Sequence, residues 1–170
     1  VILPARRDRP VRYNRTSPRR RVFSAAPWAG MTPTFRTIYQ DDRLIVLDKP
    51  SGLLAVPGRG PLLADCLSAR VQAVWPTALV VHRLDRDTSG LIVMALDAFA
   101  QRELSRQFAE RRTTKIYVAV VAGRVAEDAG LVELPLRKDF ARPPRHRVDP
   151  VHGRPAQTHW RVVRRDADRT

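Results

Sequence analysis

Apolar and polar residues begin to alternate regularly at Phe35. Residues 35–39 and 44–47 are β-rich runs on either side of the polar turn 40–43, and Pro50 follows the second run. Because proline has no backbone N–H to donate to a neighbouring strand, pairing is expected to stop there. The pattern predicts a β-hairpin.

A loop and a helix are predicted next. Residues 51–60 contain three Gly and one Pro, which indicates a loop whose backbone approaches another part of the protein. Pro61 suits the first turn of a helix that ends before Pro76. Its apolar stripe would consist of Leu62, Leu63, Cys66, Leu67, Ala69 and Val71.

Two β-rich runs, 78–81 and 91–96, enclose the polar loop 82–89. Strands at both ends of a loop hold it rigidly, so this loop is a candidate site. Asp97 is suited to cap a helix over 98–111, which we expect to cover the sheet.

The last third of the chain predicts further strands. Residues 114–121 alternate, with Ile116, Val118 and Val120 on the apolar face and Tyr117 on the more polar face. A strand over 130–136, an exposed basic loop over 137–150 and a strand over 156–162 follow. The last predicted strand has no later partner, so we expect that C-terminal sequence is missing.

Residues 1–30 show no helical or strand periodicity and hold eight Arg and one Asp. They predict a disordered, Arg-rich leader before a folded domain over 31–170. The favoured interpretation is an upstream extension, with Met31 as the natural start. An organelle transit peptide and an RNA-tethering arm are the alternatives.

The composition, with 44% hydrophobic and 28% charged residues, is that of a globular protein. The net charge of +14 favours a polyanionic partner, either nucleic acid or an anionic membrane surface. No apolar run approaches the roughly 18 residues that cross a bilayer, so a soluble protein is expected. Cys66 is the single cysteine, which excludes an internal disulfide and favours a reducing, cytoplasmic setting.

The polar loop carries the segment His-Arg-Leu-Asp-Arg-Asp-Thr-Ser-Gly, residues 82–90. This segment resembles the signature of the RluA-type RNA pseudouridine synthase family. Three further blocks follow the family's pattern: Lys-Pro-Ser-Gly at 49–52, Lys-Ile-Tyr at 115–117 and Ala-Gln-Thr at 156–158. The resemblance covers residues 39–163 and points to the short form that lacks an S4 domain. Within that form, residues 51–60 look closest to the members that modify both a tRNA anticodon stem-loop and a hairpin of 23S rRNA.

The resemblance implies a mixed α+β fold, with helices packed on a largely antiparallel sheet and a central basic RNA-binding cleft. It places the catalytic domain at 31–170. Family members carry a further Arg in a motif nearer the C-terminus, and this sequence ends before it. The domain is therefore expected to be C-terminally incomplete.

The reaction implied by the resemblance is isomerisation of uridine, which needs no redox or group-transfer partner, so no cofactor is expected. Asp85 matches the catalytic carboxylate and would act as a nucleophile or as a base on the ribose. A loop carboxylate paired with Arg83 or Arg86 is the structural alternative. Asp87 is interpreted as a surface or ion-paired residue.

Synthases of this kind must take the target base out of its stack. Arg83 would enter the vacated space, or would simply contact a phosphate or carboxylate. Tyr117 matches the family's active-site aromatic, expected to stack on the uracil; its alternative role is to fill a sheet face. His82 is expected to anchor the loop. Candidate RNA contacts are Arg83, Arg86, Lys115, Arg59 and Arg145, which otherwise would be solvated charges.

We expect no metal site, because His146, His152 and His159 with Cys66 fit no zinc spacing. The expected partner is structured RNA, a tRNA anticodon stem-loop and/or a 23S rRNA hairpin, bound by a monomer. Two other classes stay open. One is a non-catalytic RNA-binding or remodelling module that retains the cleft, and the other is an enzyme acting on free nucleosides.

Overall fold

The computed structural model describes residues 35–142 and 145–170. The predicted leader, residues 1–30, lies outside the described residues. The described chain falls into two compact units, 35–113 and 114–170, and each is described by itself. Each helix in the described part is too short or too polar to cross a lipid bilayer.

The first unit is built on a four-stranded antiparallel sheet in the order β1-β2-β4-β3. The strands are β1 (Arg36–Gln40), β2 (Leu44–Lys49), β3 (Leu79–Val80) and β4 (Gly90–Ala95). The predicted hairpin is confirmed as β1 and β2. The two runs that enclose the polar loop are confirmed as β3 and β4, which pair with each other directly.

Two helices complete this unit, α1 (Leu67–Gln72) and α2 (Ala98–Ala109). The Asp97 side chain accepts a hydrogen bond of 2.8 Å from the Ala100 N–H, as predicted for the α2 cap. Helix α2 packs on β3 and β4. The core consists of Ile45, Leu47, Leu53, Ala55, Leu67, Val71, Ala78, Leu84, Ile92 and Met94. Each large aliphatic side chain buried there stabilises the fold by about 1.5 to 3 kcal/mol.

The single helix predicted from Pro61 is wrong, because the chain forms a 3₁₀ turn at Pro61–Leu63 and then a separate α1 at Leu67–Gln72. Leu62 is 96% exposed and takes no part in an apolar stripe. The Leu67 N–H donates to Leu54 O at 2.8 Å. In a continuous helix the Leu67 N–H would donate to a carbonyl of the preceding helical turn. Here its acceptor is Leu54 O of the preceding loop.

The second unit contains two antiparallel strand pairs. Strand β5 (Ala129–Glu133) pairs with β8 (Gln157–Arg161), and β6 (Leu136–Lys138) pairs with β7 (His146–Val148). The strand predicted near 156–162 is thus confirmed. The basic loop predicted over 137–150 is wrong, since β6 and β7 form a hairpin there. Both strands carry charged residues, so their sequences show no clear alternation of polar and apolar positions.

Residues 114–121, predicted as a strand, form no strand in the described structure. The expected half-buried side chains Ile116, Val118 and Val120 are 63%, 85% and 74% exposed. The Val121 N–H donates to Thr170 O at 2.9 Å. An alternating pattern does not by itself specify the neighbour with which a segment pairs.

Candidate active site

The loop that joins β3 to β4 carries Asp85. Leu84 is only 7% exposed and belongs to the core, whereas Arg83 and Asp85 on either side are exposed. The Thr88 N–H donates to Asp85 O at 3.2 Å and closes a turn. Gly90 has φ = 114°, a conformation that L side chains rarely adopt, at the entry to β4. The buried Leu84 thus fixes the loop and leaves the Asp85 carboxylate facing solvent.

His82 anchors the start of this loop, in agreement with the sequence. Its Nε2 accepts a hydrogen bond of 3.1 Å from the Val93 N–H of β4. The imidazole stacks on Phe108 of α2, with 4.4 Å between ring centroids and 21° between ring planes. Because Nε2 acts as an acceptor, it carries no proton in this arrangement. Both contacts hold the loop to the sheet and the helix.

Lys49 lies beneath the same loop and is fully buried. Its Nζ donates to Pro50 O at 2.9 Å, Leu53 O at 2.7 Å and Arg86 O at 2.9 Å. An ammonium group has three donors, and these carbonyls use all of them. Lys49 therefore joins the Lys-Pro-Ser-Gly loop to the loop of Asp85.

Two more hydrogen bonds reinforce this connection. Ser51 Oγ donates to Asp87 O at 2.8 Å, and the Gly52 N–H donates to Arg86 O at 2.9 Å. Gly52 has φ = 85°, which suits glycine. The backbone of Arg86 and Asp87, immediately after Asp85, is thus held by Lys49 at the end of β2 and by Ser51 and Gly52 of the glycine-containing loop. The close approach of this loop agrees with the sequence prediction.

The charge of Lys49 is coupled to the loop above it. Burial lowers the pKa of the Lys49 ammonium below its ordinary 10.5, while the negative charges of Asp87 and Asp85 oppose that shift. A buried cation thus attracts the carboxylates of the loop from below.

Sequence reasoning missed Lys49, although a signal was present. Strand β2 alternates, and Ile45, Leu47 and Lys49 all lie on its buried face. A lysine at the third buried position of a strand must find hydrogen-bond acceptors, because burying an unpaired ammonium is very costly.

The guanidinium of Arg86 pairs with Asp87, with 3.2 Å between Nε and Oδ1. Their side chains are 61% and 78% exposed, so the pair contributes little to stability. This agrees with the interpretation of Asp87 as an ion-paired surface residue. Arg83 and Arg59 are exposed in the same unit.

The remaining predicted site residues, Tyr117, Lys115 and Arg145, lie in the second unit. Tyr117 is 40% exposed and lines a cavity of ≈ 640 Å³. Its walls include Val118, Val120, Trp160 and Val162. The Tyr117 side chain therefore borders a mainly apolar cavity. Lys115 and Arg145 are exposed.

Asp149, 8% exposed, closes the turn after β7. Its Oδ1 accepts hydrogen bonds from the backbone N–H groups of His152 at 2.9 Å and Val151 at 3.2 Å. The hydrogen bond from His152 is the main cause that lowers the pKa of Asp149 from 3.8 to about 2, with help from Arg137.

We expect this turn to weaken in acid. Because the folded-state pKa of Asp149 is depressed, its stabilising contribution is present above pH 3.8 and is lost as pH falls through about 2. In thermal unfolding between pH 5 and pH 2, Asp149→Asn should show a shallower decline of Tm than the wild type. Glu127→Gln, at an exposed position in the same unit, is the control. Equal declines for wild type and Asp149→Asn would contradict the assignment.

No group of three or more His, Cys, Asp or Glu that could hold a metal ion occurs within the described ranges.

The arrangement around Asp85 consists of an exposed carboxylate on an anchored loop with basic neighbours. Residues 43–170, which include this loop, match the RNA pseudouridylate synthase family.

The chain belongs to the RNA pseudouridylate synthase family.

Curated relatives of this chain include the dual-specificity RNA pseudouridine synthase RluA of Yersinia pestis, 50% identical over 131 residues. That alignment covers 77% of this chain and 64% of the relative. The protein of the same name from Escherichia coli K12 is 49% identical over 138 residues, covering 81% of this chain and 63% of the relative. The chain thus spans a little under two thirds of the length of these relatives.

Two solved human structures share the fold. RNA pseudouridylate synthase domain containing 1 has a TM-score of 0.58 at 22% identity, covering 76% of this chain and 51% of that one. RNA pseudouridylate synthase domain containing 4 has a TM-score of 0.55 at 20% identity, covering 78% of this chain and 55% of that one. The likeness agrees with the predicted mixture of helices and antiparallel strands.

Proposed function

We propose that this synthase isomerises uridine in RNA to pseudouridine, with Asp85 as the catalytic carboxylate. The observation that carries the proposal is the exposed Asp85 on a loop that Lys49, Ser51 and Gly52 hold from beneath. Family membership and relatives named dual-specificity RNA pseudouridine synthase support it.

The reaction breaks the bond between uracil N1 and the anomeric carbon of the ribose. The base then rotates, its C5 joins the same sugar carbon, C5 loses its proton and N1 gains one. Asp85 either attacks the anomeric carbon or removes a proton from the ribose, while its charge stabilises cationic character on the sugar. The atoms of substrate and product balance without an added reagent.

Several basic residues and one tyrosine are proposed to contact the RNA. Arg83, exposed beside Asp85, fills the space that the extruded base leaves, and Tyr117 stacks on the uracil. Arg59, Arg86, Lys115 and Arg145 contact phosphates, which position the RNA without reading its sequence. The predicted basic cleft is part of this proposal.

The proposed substrates are a tRNA anticodon stem-loop and a hairpin of 23S rRNA. Support comes from the resemblance of residues 51–60 to members that modify both RNAs, and from the words "dual-specificity" in the relatives' names. A cytoplasmic monomer remains a prediction.

Tritium release from RNA labelled at uridine C5 tests the function, since joining C5 to the sugar expels the C5 hydrogen. We expect release from structured RNA and none from free uridine. RNA binding without release would support the non-catalytic module instead. Release from free uridine would favour an enzyme acting on nucleosides.

A further inference from the structure

The hairpin of β6 and β7 presents an aromatic side chain to solvent near its tip. Phe140, just after β6, is 72% exposed. The Arg137 guanidinium carbon lies 5.9 Å from the centroid of its ring, and Lys138 Nζ lies 5.8 Å from it. A large apolar ring beside two cations is thus exposed instead of packing into a core.

The backbone on both sides of Phe140 is fixed. The Asp139 N–H donates to Arg145 O at 2.8 Å, which brings the two arms of the hairpin together. The Asp139 carboxylate accepts from the Ala141 N–H at 3.1 Å and pairs with Arg142 at 3.6 Å. Hydrogen bonds therefore hold the backbone at Asp139 and Ala141, the two neighbours of Phe140.

The hairpin is also strongly basic. Residues 136–149 contain five Arg or Lys and two Asp, and both Asp side chains are engaged in hydrogen bonds or ion pairs. The net positive charge selects a polyanionic partner. Exposed aromatic rings beside cations characterise proteins that bind unpaired nucleotides, where bases stack on the ring and phosphates meet the cations.

We propose that Phe140 is a base-stacking residue for an unpaired base of the RNA substrate, with Lys138 holding an adjacent phosphate. This inference rests on the proposed function and adds to it a specific contact outside the Asp85 loop. The hairpin of β6 and β7 would then bind unpaired nucleotides of an RNA loop, because bases within a duplex are already stacked on each other.

The test measures binding of a fluorescent RNA hairpin with an unpaired loop, at several salt concentrations. Phe140→Ala should weaken affinity by about 5-fold to 100-fold, the loss of one stacked base, without changing the salt dependence. Phe140→Tyr should bind like the wild type. Lys138→Met should instead reduce the slope of log affinity against log salt concentration by about one, the loss of one phosphate contact.

Phe99→Ala is the matched control, since Phe99 is 56% exposed and has the Arg43 guanidinium carbon 5.2 Å from its ring centroid, in the first unit. It should bind like the wild type, and fully paired RNA should not distinguish Phe140→Ala from wild type. Equal losses for Phe99→Ala and Phe140→Ala, or no loss for Phe140→Ala, would overturn the stacking role alone. A wild type that fails to bind RNA would overturn the proposed function as well.

Discussion

Replacement of Asp85 by asparagine should lower turnover of uridine in RNA by at least about a hundredfold and leave RNA affinity nearly unchanged. The amide preserves the size of the side chain but removes the anion that either mechanism requires, and loss of a general acid or base costs about that much. Asp85 is exposed, so the substitution leaves the core intact. Single-turnover tritium release and RNA binding should be measured on the same preparation.

Asp87→Asn is the matched control. It removes one negative charge from the same loop, two residues away, and its carboxylate already pairs with Arg86. We expect turnover within a few-fold of the wild type. Loss of activity in Asp87→Asn with activity retained in Asp85→Asn would show that the wrong carboxylate had been assigned.

The first unit was largely predictable from sequence because its signals are local. Alternation in β2 and β4, the polar turn between β1 and β2, and Asp97 before α2 each act within a few residues. The structure agrees at all of these points. The break before α1 was not predictable, since it depends on a hydrogen bond from Leu67 to the distant Leu54 O.

The second unit was harder because its elements depend on partners far along the chain. Strand β5 pairs with β8, almost thirty residues later, and no local pattern specifies that pairing. Residues 114–121 have a β-strand pattern but form no strand in the described structure. The hairpin of β6 and β7 was concealed because charges occur on both of its faces.

In the candidate site, too, features that depend on neighbouring residues were predictable, and contacts between distant residues were not. Asp85 was identified from an ordered set of motifs in the sequence, and its catalytic role stays a prediction. Lys49 entered the sequence reasoning only as the first residue of the Lys-Pro-Ser-Gly block, although period-two alternation already places it on the buried face of β2. Its acceptor Arg86 O lies 37 residues away and could not be inferred from that pattern.

Lys49→Met should destabilise the protein and slow the reaction. Methionine fills a similar volume but donates no hydrogen bonds, so the carbonyls of Pro50, Leu53 and Arg86 lose their shared donor. Leaving even one buried acceptor unsatisfied costs about 1 to 3 kcal/mol of unfolding free energy. Urea unfolding should therefore show a lower midpoint with an unchanged slope.

Turnover by Lys49→Met, assayed well below its Tm, should fall by about tenfold to a hundredfold, because a shift of the Arg86 backbone displaces the adjacent Asp85 carboxylate from its reacting position. RNA affinity should change little, since Lys49 is fully buried and cannot reach a phosphate. Lys138→Met makes the same chemical change at an exposed site and should leave the unfolding free energy within about 0.5 kcal/mol. If Lys49→Met unfolded like Lys138→Met and retained full turnover, the buried ammonium would not be what holds the Asp85 loop in place.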